Sequence, residues 1–217
     1  MSPGGRKLLL LVPCAALYGL ALGSAHSWLY AARDVVKFPL LIAMVSVVCA
    51  VANWIAAKAL GASLSMRAVL EAVLGAFADT SILLASLAPA VLFVGLVLRH
   101  GDDGWLGEYY LFFALNVVLV AIAGGLALVR GTRSLCAAAG LPLRTSVRVV
   151  AAWVVLALFV GGQAAFWLRP FFGLPATRGN TPPFCLGSTP DVRGATNFYE
   201  MVLITLERVP LPERAFR

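Results

Sequence analysis

Asp79, Thr80 and Ser81 follow one another inside an apolar run, 73–98, and among all side chains in the sequence they have the clearest capacity for chemistry. An ionisable group in hydrocarbon costs ~2.5–3.5 kcal/mol on insertion scales, so it needs a partner, a water-filled cavity or a place near the interface. Asn53 and Lys58 close the preceding apolar run at the expected level of Asp79. Asn53, Lys58, Asp79, Thr80 and Ser81 are therefore a candidate intramembrane polar cluster. In the plain reading they hydrogen-bond between helices, worth ~0.6 kcal/mol per contact on average, with Asp79 paired to Lys58 or close to the headgroups. In the sharper reading Asp79 is a proton or cation site in a small transporter or channel. A single carboxylate, with neither a second one nor a broken-helix repeat beside it, gives that reading little support. Asn116 and Gln163 fall at matching heights near the opposite surface with Arg169 beyond them, a candidate outer polar layer.

Other reactive residue types lack the spacing that chemistry requires. Cys14, Cys49, Cys136 and Cys185 are far apart, no C-x-x-C pair occurs, and His26 and His100 flank different apolar runs, so no zinc site or disulfide framework is expected. The sequence contains no G-x-S-x-G, H-E-x-x-H or phosphate-cradling glycine loop. Asp79 alone cannot form the paired-carboxylate arrangement of an intramembrane protease. The expectation is a protein without catalytic centre, metal or cofactor.

The elements that must position these residues follow from composition. Hydrophobic residues make up 61% of the 217 and charged ones only 12%, against roughly 45–50% and about 25% in ordinary soluble domains. A bilayer span needs ~20 mostly apolar residues, because the hydrocarbon is ~30 Å thick and a helix rises ~1.5 Å per residue. Runs at 8–30, 38–57, 73–98, 109–129 and 149–168 meet that length, which predicts an all-α integral membrane bundle of about five spans over 1–170. The first run also has the layout of a signal peptide, with Arg6 and Lys7 before it and Gly23-Ser24-Ala25 as a small-residue cleavage site. A retained helix is expected, since a cut would leave an even number of spans. Ser63 or Ser65 is placed to cap the third helix, and Pro89 lies inside it. Gly124-Gly125 and Gly161-Gly162 suggest a packing seam between the fourth and fifth spans.

Beyond Arg169 the character changes. The segment 171–217 carries Pro175, Pro182, Pro183, Pro190, Pro210 and Pro212, which rules out one long helix. A short amphipathic helix is expected at 197–209: Asn197 and Glu200 have capping-box spacing, and Phe198, Met201, Val202, Leu206 and Val209 share a broad face. Such a helix lies on the membrane, packs against the bundle or docks a partner.

Basic residues set the orientation. Arg6, Lys7, Lys58, Arg67, Arg130, Arg133, Arg144 and Arg148 collect on one side, and Arg33, Lys37, Arg99, Arg169 and Arg178 on the other. The positive-inside rule then predicts a cytoplasmic N-terminus and an outer C-terminal tail. The net charge of +7 is read as topology signal and lipid contact, with no nucleic-acid module to claim it.

The stretch Val160-Gly-Gly-Gln163 through Leu168-Arg-Pro-Phe-Phe-Gly173, including Arg169, Pro170, Phe171, Phe172 and Gly173, is followed later by Asn197-Phe198-Tyr199-Glu200. With Lys37-Phe-Pro-Leu40, Leu64-Ser-Met-Arg67 and Ser86-Leu-Ala-Pro89, it resembles a group of bacterial membrane proteins related to the Yip-domain family. The resemblance implies a five-span bundle with a cytoplasmic N-terminus and brings no catalytic residue. Eukaryotic Yip-domain proteins contact small GTPases partly through a long cytoplasmic N-terminal region, of which this sequence has only a few residues, so that partner is not carried over. The expected function is a non-enzymatic scaffold or organising subunit that binds membrane lipid and a membrane-protein partner or a second copy of itself.

Overall fold

The computed structural model describes residues 3–99, 106–171, 183–186 and 194–208. Their secondary structure is helical: α1 (Pro3–Ser24), α2 (Trp28–Ala59), α3 (Met66–Arg99), α4 (Leu106–Ala138), α5 (Leu143–Leu168) and α6 (Phe198–Arg208), with no strand among the described residues. This is an all-α membrane bundle. Helices α2 to α5 are each long and apolar enough to cross a bilayer, and α1 adds a shorter apolar stretch, Leu9–Ser24. A helix suits this solvent because it satisfies its backbone N–H and C=O groups internally where no water can. At 32 and 34 residues, α2 and α3 extend ~50 Å against ~30 Å of hydrocarbon. Their ends project past the apolar layer. Large side chains face outward, with Val47 67%, Phe93 68% and Val155 65% exposed; in water such a surface would aggregate, whereas in lipid it is solvated.

Local chemistry sets the helix ends. The Ser27 hydroxyl accepts the Tyr30 N–H at 3.4 Å and opens α2, and Ser65 accepts the Ala68 N–H at 3.2 Å and opens α3. Helices α2 and α4 both stop at a glycine in the left-handed region, Gly61 at φ 79° and Gly140 at φ 64°. There the N–H of Ala62 returns to the Ala57 carbonyl at 2.9 Å and that of Leu141 to Cys136 at 3.0 Å, satisfying carbonyls the helix leaves open.

The first connection departs from the sequence expectation. The chain turns at 25–27, not after Tyr30, and α2 begins at Trp28, ten residues before the expected entry at 38. Arg33 and Lys37, read as loop charges, are thus helical, and Pro39 is inside the helix. The cause lies in α1, where Ala15, Gly19 and Gly23 recur every fourth residue. A Cβ on Gly19 would collide with the Asp34 carbonyl, and one on Gly23 would stand 2.5 Å from the Tyr30 carbonyl carbon. Backbone therefore meets backbone along this seam.

Around the bundle α1 packs on α2 and α3, α3 on α4, α4 on α5, and α5 closes back on α2. Two apolar cores result. Tyr18, Phe38, Leu84, Val91 and Phe112 build one, where α1 contributes, and Val69, Val73, Leu128, Val149 and Trp153 build the other. Trp153 is fully buried, and its indole N–H donates to the Asn53 carbonyl at 3.0 Å, tying α5 to α2.

Candidate functional site

The candidate inner cluster does not assemble into a shared network. Thr80 donates to the Ala76 carbonyl and Ser81 to the Phe77 carbonyl, both at 2.8 Å, so each hydroxyl serves its own helix. Lys58 is exposed and Asp79 half-buried, and no ion pair joins them. The reason is geometric: Lys58 is in the last turn of α2, where a long side chain reaches water more cheaply than it reaches into the bundle. Asn53 is fully buried, yet its side-chain amide has no hydrogen-bond partner among the described residues.

Among the described residues, the formally charged side chains that are fully buried are Asp34 and Lys37, which fall between the expected spans 8–30 and 38–57. Tyr30, Asp34, Lys37, Phe38 and Ile42 are all buried at helical spacing along α2. That spacing, continuing the apolar face through two charges, was the available signal. The Lys37 ammonium donates to the Pro170 carbonyl at 2.6 Å and lies 5.7 Å from the Phe171 ring centroid and 5.0 Å from that of Phe184. Carbonyl and ring faces together replace part of the ammonium's hydration. Three turns into α2, the chain beyond α5 thus folds over the helix. Neither carboxylate oxygen of Asp34 has a hydrogen-bond partner among the described residues.

The outer layer forms in part. Tyr18 on α1 donates its hydroxyl to the Asn116 side-chain oxygen at 2.8 Å, and the Asn116 amide donates to the Phe112 carbonyl at 2.8 Å. Asn116 therefore links α4 to α1. Gln163 is half-buried on α5 and no hydrogen bond joins it to Asn116. Arg169 is buried, with its guanidinium stacked 3.4 Å from the Phe166 ring centroid and donating to the Phe166 carbonyl. Phe172, Gly173, His100 and Val209 lie outside the described residues.

Helix α6 is fixed across α4 and α5. At its start Asn197 accepts the Glu200 N–H at 3.0 Å, while the Glu200 carboxylate accepts the Thr196 N–H and hydroxyl, each at 2.8 Å. These bonds to its ionised form hold Glu200 below its ordinary pKa. The Phe198 ring fills the space that glycine leaves at Gly162, where a Cβ would meet the ring at 2.6 Å. Tyr199 stacks on Phe159 at 6.1 Å and 15°, and Arg208 donates to the Tyr110 hydroxyl at 2.9 Å. Of the expected face, Phe198, Met201 and Val202 are half-buried and Leu206 departs from it. Thr205 is buried, while Leu206 is 56% exposed and forms, with Leu203 and the partly exposed Tyr199, a surface stripe.

Beneath α6, α1 to α5 line an almost wholly apolar cavity of about 220 Å³ that Phe171 and Phe198 border. The glycines of α4 and α5 line it. A Cβ on Gly125 or Gly161 would meet nothing within 4 Å, and one on Gly124 would meet only Thr80 at 3.9 Å. The expected seam is therefore a gap at these three positions and a contact only at Gly162.

No protein-family model matches the chain, and no curated protein or solved structure is significantly similar to it.

Proposed function

We propose that this membrane protein is a non-enzymatic scaffold of Yip-like type, an organising subunit that holds another membrane protein against its outer end. One observation carries the proposal. The exposed stripe of α6, Tyr199, Leu203 and Leu206, continues the outward face of α5 through the Tyr199–Phe159 stack. An apolar stripe anchored in this way suits a partner helix that is itself embedded in the membrane, because both surfaces are already solvated by lipid and can exchange it for side-chain packing. The Yip-like type rests on the sequence resemblance, whose segments meet in the fold: Lys37 meets Pro170 and Phe171, and Phe198 meets Gly162. The proposed orientation puts the N-terminus in the cytoplasm and α6 outside a bacterial inner membrane, in keeping with the positive residues that follow α2 and α4. Purification in mild detergent followed by native mass spectrometry tests the scaffold role. A retained partner or second copy that Leu203→Glu releases is the expected result; a monomer in both forms contradicts it.

A second reading, a small transporter using an intramembrane carboxylate, is favoured by Asp34. Its carboxylate is fully buried without a hydrogen-bond partner among the described residues, and an ionisable group within a membrane helix is a candidate for an ion pathway. Under this reading Asp34→Asn abolishes proton-coupled flux in liposomes and Asp79→Asn does not. Flux that is absent, or equal in both variants, removes it.

A further inference from the structure

We propose that the cavity lined by α1 to α5 is a binding site for one unbranched acyl chain of a membrane lipid. This is independent of the scaffold role, which rests on the outer face of α6.

Three observations define the guest. The first is size. A dry apolar cavity of about 150 Å³ already takes up benzene, and this one holds about 220 Å³. Its lining runs along α4 from Phe113 to Leu128, ~22 Å of helix at ~1.5 Å per residue. A modest volume spread over that length is a slot, which a linear chain fills and a compact ligand does not.

The second is polarity. The polar side chains on the wall are satisfied within the protein: Tyr18 donates to Asn116, Asn116 to Phe112, and Thr80 to Ala76. Each of these groups thus already has a protein partner, and the second amide N–H of Asn116 is the one donor they leave to a guest. A headgroup brought inside would leave water with at most that one replacement, at ~1–3 kcal/mol for each polar group left unpaired on mutational scales. Only hydrocarbon enters without that penalty, and the headgroup remains outside.

The third is the origin of the space. Gly124, Gly125 and Gly161 form it by lacking side chains, and their backbone is ordinary helix, so no conformational demand explains them. Leucine or valine there would be compatible with the backbone and would close the slot. An empty gap of this kind forfeits dispersion contacts along its whole lining. A lipid chain, the solvent on every side of the bundle, restores them. The Phe198 ring borders it at Gly162.

The test uses the full chain reconstituted in phosphatidylcholine vesicles in which a fraction of the lipid carries a diazirine on its palmitoyl chain. After photolysis, peptide mapping is expected to find adducts on residues 113–128 of α4 and 154–165 of α5 that face the slot, besides those on outward side chains such as Val118 and Val155. Gly125→Phe and Gly161→Phe are expected to lower the slot adducts at least ten-fold and leave the outward ones unchanged. Gly125→Leu serves as a milder filler should phenylalanine disturb the bundle, with circular dichroism and gel filtration to verify folding. Slot adducts that persist in folded filled variants, or that never exceed the outward background, overturn the proposal. A diazirine polyisoprenol that labels the slot better than the acyl probe overturns the acyl assignment.

Discussion

Alanine at Gly19 and alanine at Gly125 are chemically the same change and should move stability in opposite directions. In a helix interior alanine is favoured over glycine by ~1 kcal/mol. At Gly125 nothing lies within 4 Å of the new methyl, so Gly125→Ala is expected to gain about that amount. At Gly19 the methyl would collide with the Asp34 carbonyl. Backbone has no rotamer to escape into, so α1 must move away from α2. Overpacking typically costs ~1–3 kcal/mol, and a gap of ~0.5–1 Å forfeits a quarter to a half of each dispersion well along the seam, which includes the fully buried Ala15 and Tyr18. The upper end of that range applies. After the propensity gain, Gly19→Ala is expected to lose ~2 kcal/mol, a fall of up to ~30-fold in the folded-to-unfolded ratio. Reversible unfolding by sodium dodecyl sulfate in mixed micelles, followed by far-ultraviolet circular dichroism, measures both. A Gly19→Ala protein as stable as the Gly125→Ala protein would refute the close α1–α2 approach.

Other expectations follow from single contacts. Lys37→Met removes the charged donor from the Pro170 carbonyl and is expected to cost ~1.5–3 kcal/mol, and the loosened chain at 183–186 should let a maleimide reach Cys185 faster. In a double-mutant cycle, Tyr18→Phe and Asn116→Ala are expected to couple by ~0.6 kcal/mol and by no more than ~1.7; additivity within error would deny their hydrogen bond. Glu200 has a folded pKa below its ordinary 4.5, so its cap stabilises α6 above that value and is lost as pH falls through the folded pKa. Amide exchange at Thr196 and Glu200 should accelerate over that acidic window in the native chain, and Glu200→Gln should abolish the pH dependence.

Much of the bundle was legible because hydrocarbon imposes a length on apolar runs and because helix ends carry chemical marks. Ser65 caps α3 and Asn197 with Glu200 opens α6, local events that neighbouring residues decide. The stops at Gly61 and Gly140, by contrast, were not anticipated, and α4 continues to Ala138, past the expected end at 129. Long-range events were not legible. Asp34 and Lys37 look like loop charges until Pro170, Phe171 and Phe184, more than a hundred residues away, are folded over them. A glycine pattern likewise does not reveal what faces it. Gly19 and Gly23 make the close seam, while Gly124, Gly125 and Gly161, which read as a seam, border a cavity. The pairing of Asp79 with Lys58 assumed that matching depth brings side chains together, but each residue's position around its own helix decides contact.

The most direct test of the account asks whether the ends of the bundle lie on opposite sides of a membrane. Cys185 is exposed beside the outer contacts of Lys37, and Lys58 is exposed at the other end of α2. In intact spheroplasts a membrane-impermeant maleimide is expected to modify native Cys185, whereas in a Cys185→Ser chain carrying Lys58→Cys it should react only after permeabilisation. Modification of both thiols from the same side of the intact membrane would contradict the bundle as a bilayer-crossing structure.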